Sequence, residues 1–136
     1  MSETSNPTRL GAAQRFVMHI GHRDADQAIG LLAAAVTYRV SGSGSMAATF
    51  TGSEQVAAHL CDLVERTRGT FQTIKWEDWM VGEYHVAAWA DIHVQMQGRD
   101  FTGRVLFSLR FDREDKIDEI VVLPEDPHAA ERFFAT

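Results

Sequence analysis

Apolar positions along this chain change period once, from helical spacing to strict alternation. Leu10, Ala13, Phe16, Val17 and Ile20 recur three and four apart, the stripe of a helix buried along one side. Pro7 suits the first turn of that helix, where a missing N–H costs nothing, and Gly21 stops it. Residues 1–6 are polar and are expected to form a disordered tail. The segment "DADQAIGLL" predicts a second, shorter helix, with Asp24 as N-cap and Gln27 placed to reach back. In "VTYRV", Val36, Tyr38 and Val40 alternate with Thr37 and Arg39, which predicts a strand. A Ser/Gly loop, "SGSGSMA", follows. Thr51 to Glu54 then read as a capping box launching a helix to Arg66, with Val56, Leu60, Leu63 and Val64 as its buried stripe.

From Thr70 the period is two. "FQTIKWEDWMV" and "YHVAAWADIHVQM" meet at Gly82-Glu83, "FTGRVLFSLRF" follows Gly98-Arg99, and "IDEIVVL" follows the charged turn "DREDK". The expectation is a meander of long antiparallel strands. Asp126-Pro127 opens a last short helix carrying Phe133 and Phe134. Helices first and strands last make an α+β chain, with helices on one side of a bent sheet and a single domain over residues 7–136.

Composition narrows the partners more than the fold. At 136 residues and 45% hydrophobic, the chain suits one domain with a core that needs no staples. The single cysteine, Cys61, cannot close an internal disulfide, so a reducing cytoplasm is the expected compartment. The polar start, "MSETSNPTRL", lacks the apolar run of a signal peptide, and no apolar stretch is long enough to span a bilayer. A net charge of −6 with scattered arginines argues against nucleic acid, whose phosphates need a concentrated basic face.

The order of "QRFVMHIGHRDADQAIGLL", the turn into "TFTGSEQVAAHL" and the closing pair "LRFDREDKIDEI" together resemble the nuclear transport factor 2-like superfamily. Within it the chain looks most like the SnoaL-like polyketide cyclases and the ketosteroid isomerases. The resemblance implies a curved sheet wrapped around helices to form a cone-shaped barrel with a ligand cavity. It does not carry over the isomerase chemistry. The family's oxyanion-hole tyrosine would fall on Phe16, its general-base aspartate on Val40 and its second oxyanion-hole acid on Phe107, all apolar here. The SnoaL-like cyclases also tend to a polar or acidic residue near Phe107. A cavity is implied, without the steroid isomerase's reacting groups.

Alternation assigns the faces of the strands. The apolar parity holds Val105, Phe107, Leu109 and Phe111 on one strand, and Val86, Ala88, Ala90, Ile92, Val94 and Met96 on another. It holds Ile74, Trp76 and Met80 on a third, with Asp78 in the same register, and Ile120 and Val122 on the last. The resemblance places this parity on the concave face. These residues read either as plain core or as pocket lining. The small Ala88 and Ala90 leave volume for a bulky neighbour such as Trp76 or for a ligand. The expected lining is Phe16, Val40, Trp76, Met80, Ala88, Ala90, Phe107 and Leu109.

Two polar groups fall on that parity. Tyr38 reads either as a core tyrosine bonded to backbone or as a donor to an enolate-like oxygen. Asp78 reads either as an outward-turned acid at a strand irregularity or as a desolvated carboxylate poised to move protons. They are the candidate catalytic pair. The rival is the opposite face of the fourth strand, where Asp91 and His93 stand two apart. That face reads otherwise as a convex belt around Trp89, continued by Leu106, Val121 and Leu123, through which a homodimer would form.

Other signals are weaker. His19 and His22 have a metal-compatible spacing but no third ligand nearby, and His59 sits beside a buried stripe as a boundary residue. "SGSGS" lacks a P-loop lysine or a dinucleotide spacing and reads as the rim of a pocket mouth. The expectation is therefore a homodimeric cone binding a small apolar or aromatic, polyketide- or terpenoid-like molecule. Its chemistry would be cofactor-free and metal-free acid–base work: isomerisation, cyclisation or dehydration. The alternative is the same fold as a non-catalytic binding or dimerisation module.

Overall fold

The computed structural model describes residues 2–20, 25–41 and 48–134, with side chains from Thr8 onward. Its elements are α1 (Ser2–His19), α2 (Asp26–Ile29), β1 (Leu32–Val40), β2 (Ala48–Thr51), α3 (Ser53–Thr67), β3 (Gln72–Val81), β4 (His85–Met96), β5 (Arg99–Phe111), β6 (Ile117–Pro124) and α4 (Pro127–Phe134). The strands form one six-stranded sheet in the order β2-β1-β6-β5-β4-β3. The meander from β3 to β6 is antiparallel as alternation predicts, whereas β1 docks parallel to β6, with Tyr38 beside Ile120 and Val40 beside Val122. The fold is α+β, with helices on one face of a mixed sheet.

Several boundaries differ from expectation. α1 starts at Ser2, so the tail expected over residues 1–6 is helical from residue 2 and Pro7 lies inside the helix. β1 starts at Leu32, because the Leu31 carbonyl accepts from Ile117 N–H at 2.9 Å and the chain meets β6 at once. The capping box does not form. Gly52, with φ +87°, takes the N-cap position without a side-chain bond, and Gln55 rather than Glu54 reaches back, accepting from Thr51 N–H at 3.0 Å. The Asp24 cap, His22 and residues 42–45 of the "SGSGS" rim lie outside the described residues.

Turn chemistry sets the register of the long strands. Gln97 and Gly98 both have positive φ, the signature of a two-residue primed turn, so Met96 pairs with Arg99 and β5 begins there. Asp112 organises the turn before β6, its Oδ1 accepting from the N–H groups of Glu114 and Lys116. Gly103 allows a close approach: a Cβ there would stand 2.8 Å from the Phe101 ring.

The concave face packs Val86, Ala90, Ile92, Val105, Phe107, Leu109, Phe111 and Ile120 against Phe16, Val17 and Ile20 of α1 and Val56 and Leu60 of α3. The parity read for β4 and β5 is the buried one. Arg9, itself buried, ties α1 to two turns at the sheet's far end. Its Nε donates to Asp115 at 2.7 Å, its other nitrogens donate to the Glu83 and Asp112 carbonyls, and its guanidinium lies over Tyr84.

Candidate functional site

A cavity of about 270 Å³ opens between α3 and the β2-β1-β6-β5 half of the sheet. β1 supplies Tyr38 and Val40, β2 supplies Ala48 and Phe50, and β6 supplies Val122 and Pro124. Phe101, Val105 and Phe107 of β5 form the back, with Ala130 and Phe134 of α4 across one side. α3 lines the other side with His59, Asp62, Leu63 and Arg66, one helical face at i, i+3, i+4 and i+7. The Ser/Gly segment lies outside the described residues, but the strands flanking it both reach the cavity, at Val40 and Ala48.

Its polar centre is Tyr38 with His59. The ring centroids stand 4.9 Å apart, and His59 also stacks on Phe50 at 4.3 Å with 20° between planes. Tyr38 is paired across the strands with Phe50, so the three rings form one wall. Tyr38 is 3% exposed, and burial alone pushes its phenol well above the usual tyrosine range. Among the described residues no hydrogen bond engages its hydroxyl. Burial lowers the His59 pKa, with Asp62 pulling it up and Arg66 pushing it down. The site therefore presents a protonated phenol beside a neutral imidazole at pH 7, in apolar surroundings.

Of the other expected lining residues, Val40 and Phe107 reach the cavity. Phe16, Ala88, Ala90 and Leu109 are buried core that does not line it. The volume left by the two alanines lies under indoles: Trp76 pairs with Ala90, and Trp79 packs on Trp76 at 4.8 Å. Trp76 is half-buried there, 6.3 Å from Phe107.

Asp78 and Met80 are corrections. β3 is interrupted twice: once between Thr73 and Lys75, leaving Ile74 62% exposed, and again between Glu77 and Met80. At the second break Asp78 and Trp79 together oppose Ala88, a β-bulge, and Asp78 adopts φ +58°. The extra residue inverts the alternation. Asp78 turns outward, its side chain 73% exposed and 3.9 Å from Arg104, and Met80 is 50% exposed. Neither lines the cavity.

The rival pair does not line it either. Asp91 and His93 lie on the outer face, where Arg104 sits over the Trp89 ring at 5.0 Å and reaches Glu77 at 3.3 Å, Asp91 at 3.6 Å and Glu125 at 3.2 Å. His93 faces Asp100 at 3.4 Å. Among the described residues no three His, Cys, Asp or Glu side chains gather to hold a metal, and no helix is long and apolar enough to cross a membrane.

His59 is what sequence reasoning missed. Its spacing to Asp62 and Arg66 already placed three polar groups on one helical face, but nothing local told that face from solvent.

No protein-family model and no curated protein sequence matches the chain. Solved structures do. Bal32a, from a soil-derived mobile gene cassette, superposes with a TM-score of 0.84 at 14% identity, covering 96% of this chain and 98% of its own. An NTF2-like protein from Anabaena variabilis matches at 0.77 and 15% identity, covering 90% of each chain. A Mycobacterium tuberculosis protein in complex with estradiol-17β-hemisuccinate matches at 0.71 and 18% identity, covering 83% and 90%. The chain thus has the nuclear transport factor 2-like fold, and these identities carry the fold alone.

Proposed function

We propose that this protein binds a small, largely apolar ligand in the α3-side cavity and moves a proton on it without a cofactor. The observation that carries this reading is the Tyr38–His59 contact on an otherwise apolar wall. Neutral His59 accepts a proton from carbon next to a carbonyl. Tyr38, held protonated by burial, donates a hydrogen bond to the enolate oxygen, and His59 returns the proton to the same or a conjugated carbon. Isomerisation, cyclisation and dehydration all begin with this transfer. A polyketide- or terpenoid-like compound of the SnoaL-like kind, met in the cytoplasm, fits such chemistry.

The test is solvent deuterium exchange into 2-tetralone, an enolisable two-ring ketone, followed by NMR. Wild type should accelerate exchange, and His59→Ala should remove about 10² to 10⁴ of that rate. Equal rates from both proteins refute the acid–base role and leave a binding module of the same fold.

We also propose a homodimer through the outer sheet face. Trp89, Leu106, Val121 and Leu123 form its apolar belt, with Leu123 among the exposed large side chains. Apolar side chains beside an arginine stacked on an aromatic ring, here Arg104 on Trp89, match the composition of such interfaces.

A further inference from the structure

Size and charge of the cavity restrict what it accepts, on the reading above that it is the ligand site. At about 270 Å³ it falls below the roughly 300–1,000 Å³ of sites for drug-sized ligands. Its charged lining residues, Asp62 and Arg66, both stand exposed on α3, while the ring wall offers only uncharged Tyr38 and His59. Arg66 is already committed to α4, donating to the Phe134 carbonyl. An ionised group carried past them to the ring wall would lose its water and face only the uncharged Tyr38 and His59, which is costly. The wall across from α3 is packed on its own side. Phe134 packs on Phe101 at 5.9 Å and on Phe133 at 5.0 Å, so enlarging the cavity on that side means displacing α4.

We infer that the ligand is an uncharged keto or hydroxy compound of one or two fused rings, and that Phe134, held by Arg66, sets the upper size limit. The oxygen of such a compound faces Tyr38 and His59, and its rings lie among Phe50, Phe71, Phe101 and Phe107. A four-ring skeleton enters only if Phe134 moves.

Calorimetric titration at pH 7 with 2-naphthol, 2-naphthoate and a neutral four-ring steroid tests this. Wild type should bind 2-naphthol about tenfold or more tighter than 2-naphthoate, the anion paying the desolvation. The steroid should bind more weakly than 2-naphthol, and Phe134→Ala should recover about tenfold of its affinity as ring volume is removed. Arg66→Met, which releases the Phe134 carbonyl and keeps the ring, should move steroid affinity the same way should Phe134→Ala fail to fold. Tighter wild-type binding of the steroid or of 2-naphthoate, or no binding of any of the three, overturns the inference. Selective binding of 2-naphthol without exchange into 2-tetralone refutes the acid–base role alone.

Discussion

The imidazole of His59 lies 4.9 Å from the phenol ring of Tyr38, ring centre to ring centre. α3 delivers the histidine and β1 the tyrosine. Phe50 of β2, stacked on His59, keeps the imidazole against the wall. Loss of water disfavours the ionised form of both, moving the phenol further above neutrality and the imidazole below its ordinary value.

Burial lowers the His59 pKa, so the base form dominates above the ordinary histidine range near 6.5. Exchange into 2-tetralone should rise with pH from below that value and level off by neutrality. It should stay level toward pH 9, because Tyr38 remains a donor. A rate still climbing between pH 7 and 9 would contradict the assignment.

Tyr38 has its pKa raised above the unfolded value near 10. The unfolded chain then releases a proton that the folded chain keeps, so the stability from this group is complete below pH 10 and declines above it. Urea unfolding of wild type should weaken above pH 10 more steeply than that of Tyr38→Phe. Parallel curves would mean the phenol ionises without cost in the folded protein.

The left-handed backbone at Asp78 favours residues that tolerate φ near +58°. Asp78→Gly should be neutral or slightly stabilising, and Asp78→Val should cost about 1–2 kcal/mol, the penalty of that conformation for a branched side chain. Asp78→Asn should leave exchange unchanged, since the carboxylate lies outside the cavity. A large rate loss in Asp78→Asn would restore it as a proton carrier.

Trp89 sits at the middle of the outer belt beneath Arg104. Trp89→Glu should turn a micromolar dimer into a monomer in sedimentation velocity, because it removes the indole and buries one more carboxylate where Glu77, Asp91 and Glu125 already surround Arg104. Wild type sedimenting as a monomer would remove the dimer proposal.

Alternation in β4 and β5, the stripe of α3 and the turn residues were legible because each is local: one face buried, one period, one backbone angle. They suffice to predict the meander, the buried parity and Tyr38 on the inner face. The β3 bulge was not legible. "WEDWM" alternates acceptably in either register, and only pairing with Ala88 on the neighbouring strand shows that Asp78 and Trp79 share one partner.

The location of the cavity was likewise a tertiary decision. By spacing alone, His59, Asp62 and Arg66 could face water. β1 docking in parallel on β6, a contact between distant segments, brings β2 over α3 and encloses that helical face. At Ala88 and Ala90 the sequence determined that volume is left over. Trp76 and Trp79, brought across by β3, decided that the ligand space lies elsewhere, because side-chain volume is shared between strands and no single strand encodes who fills it.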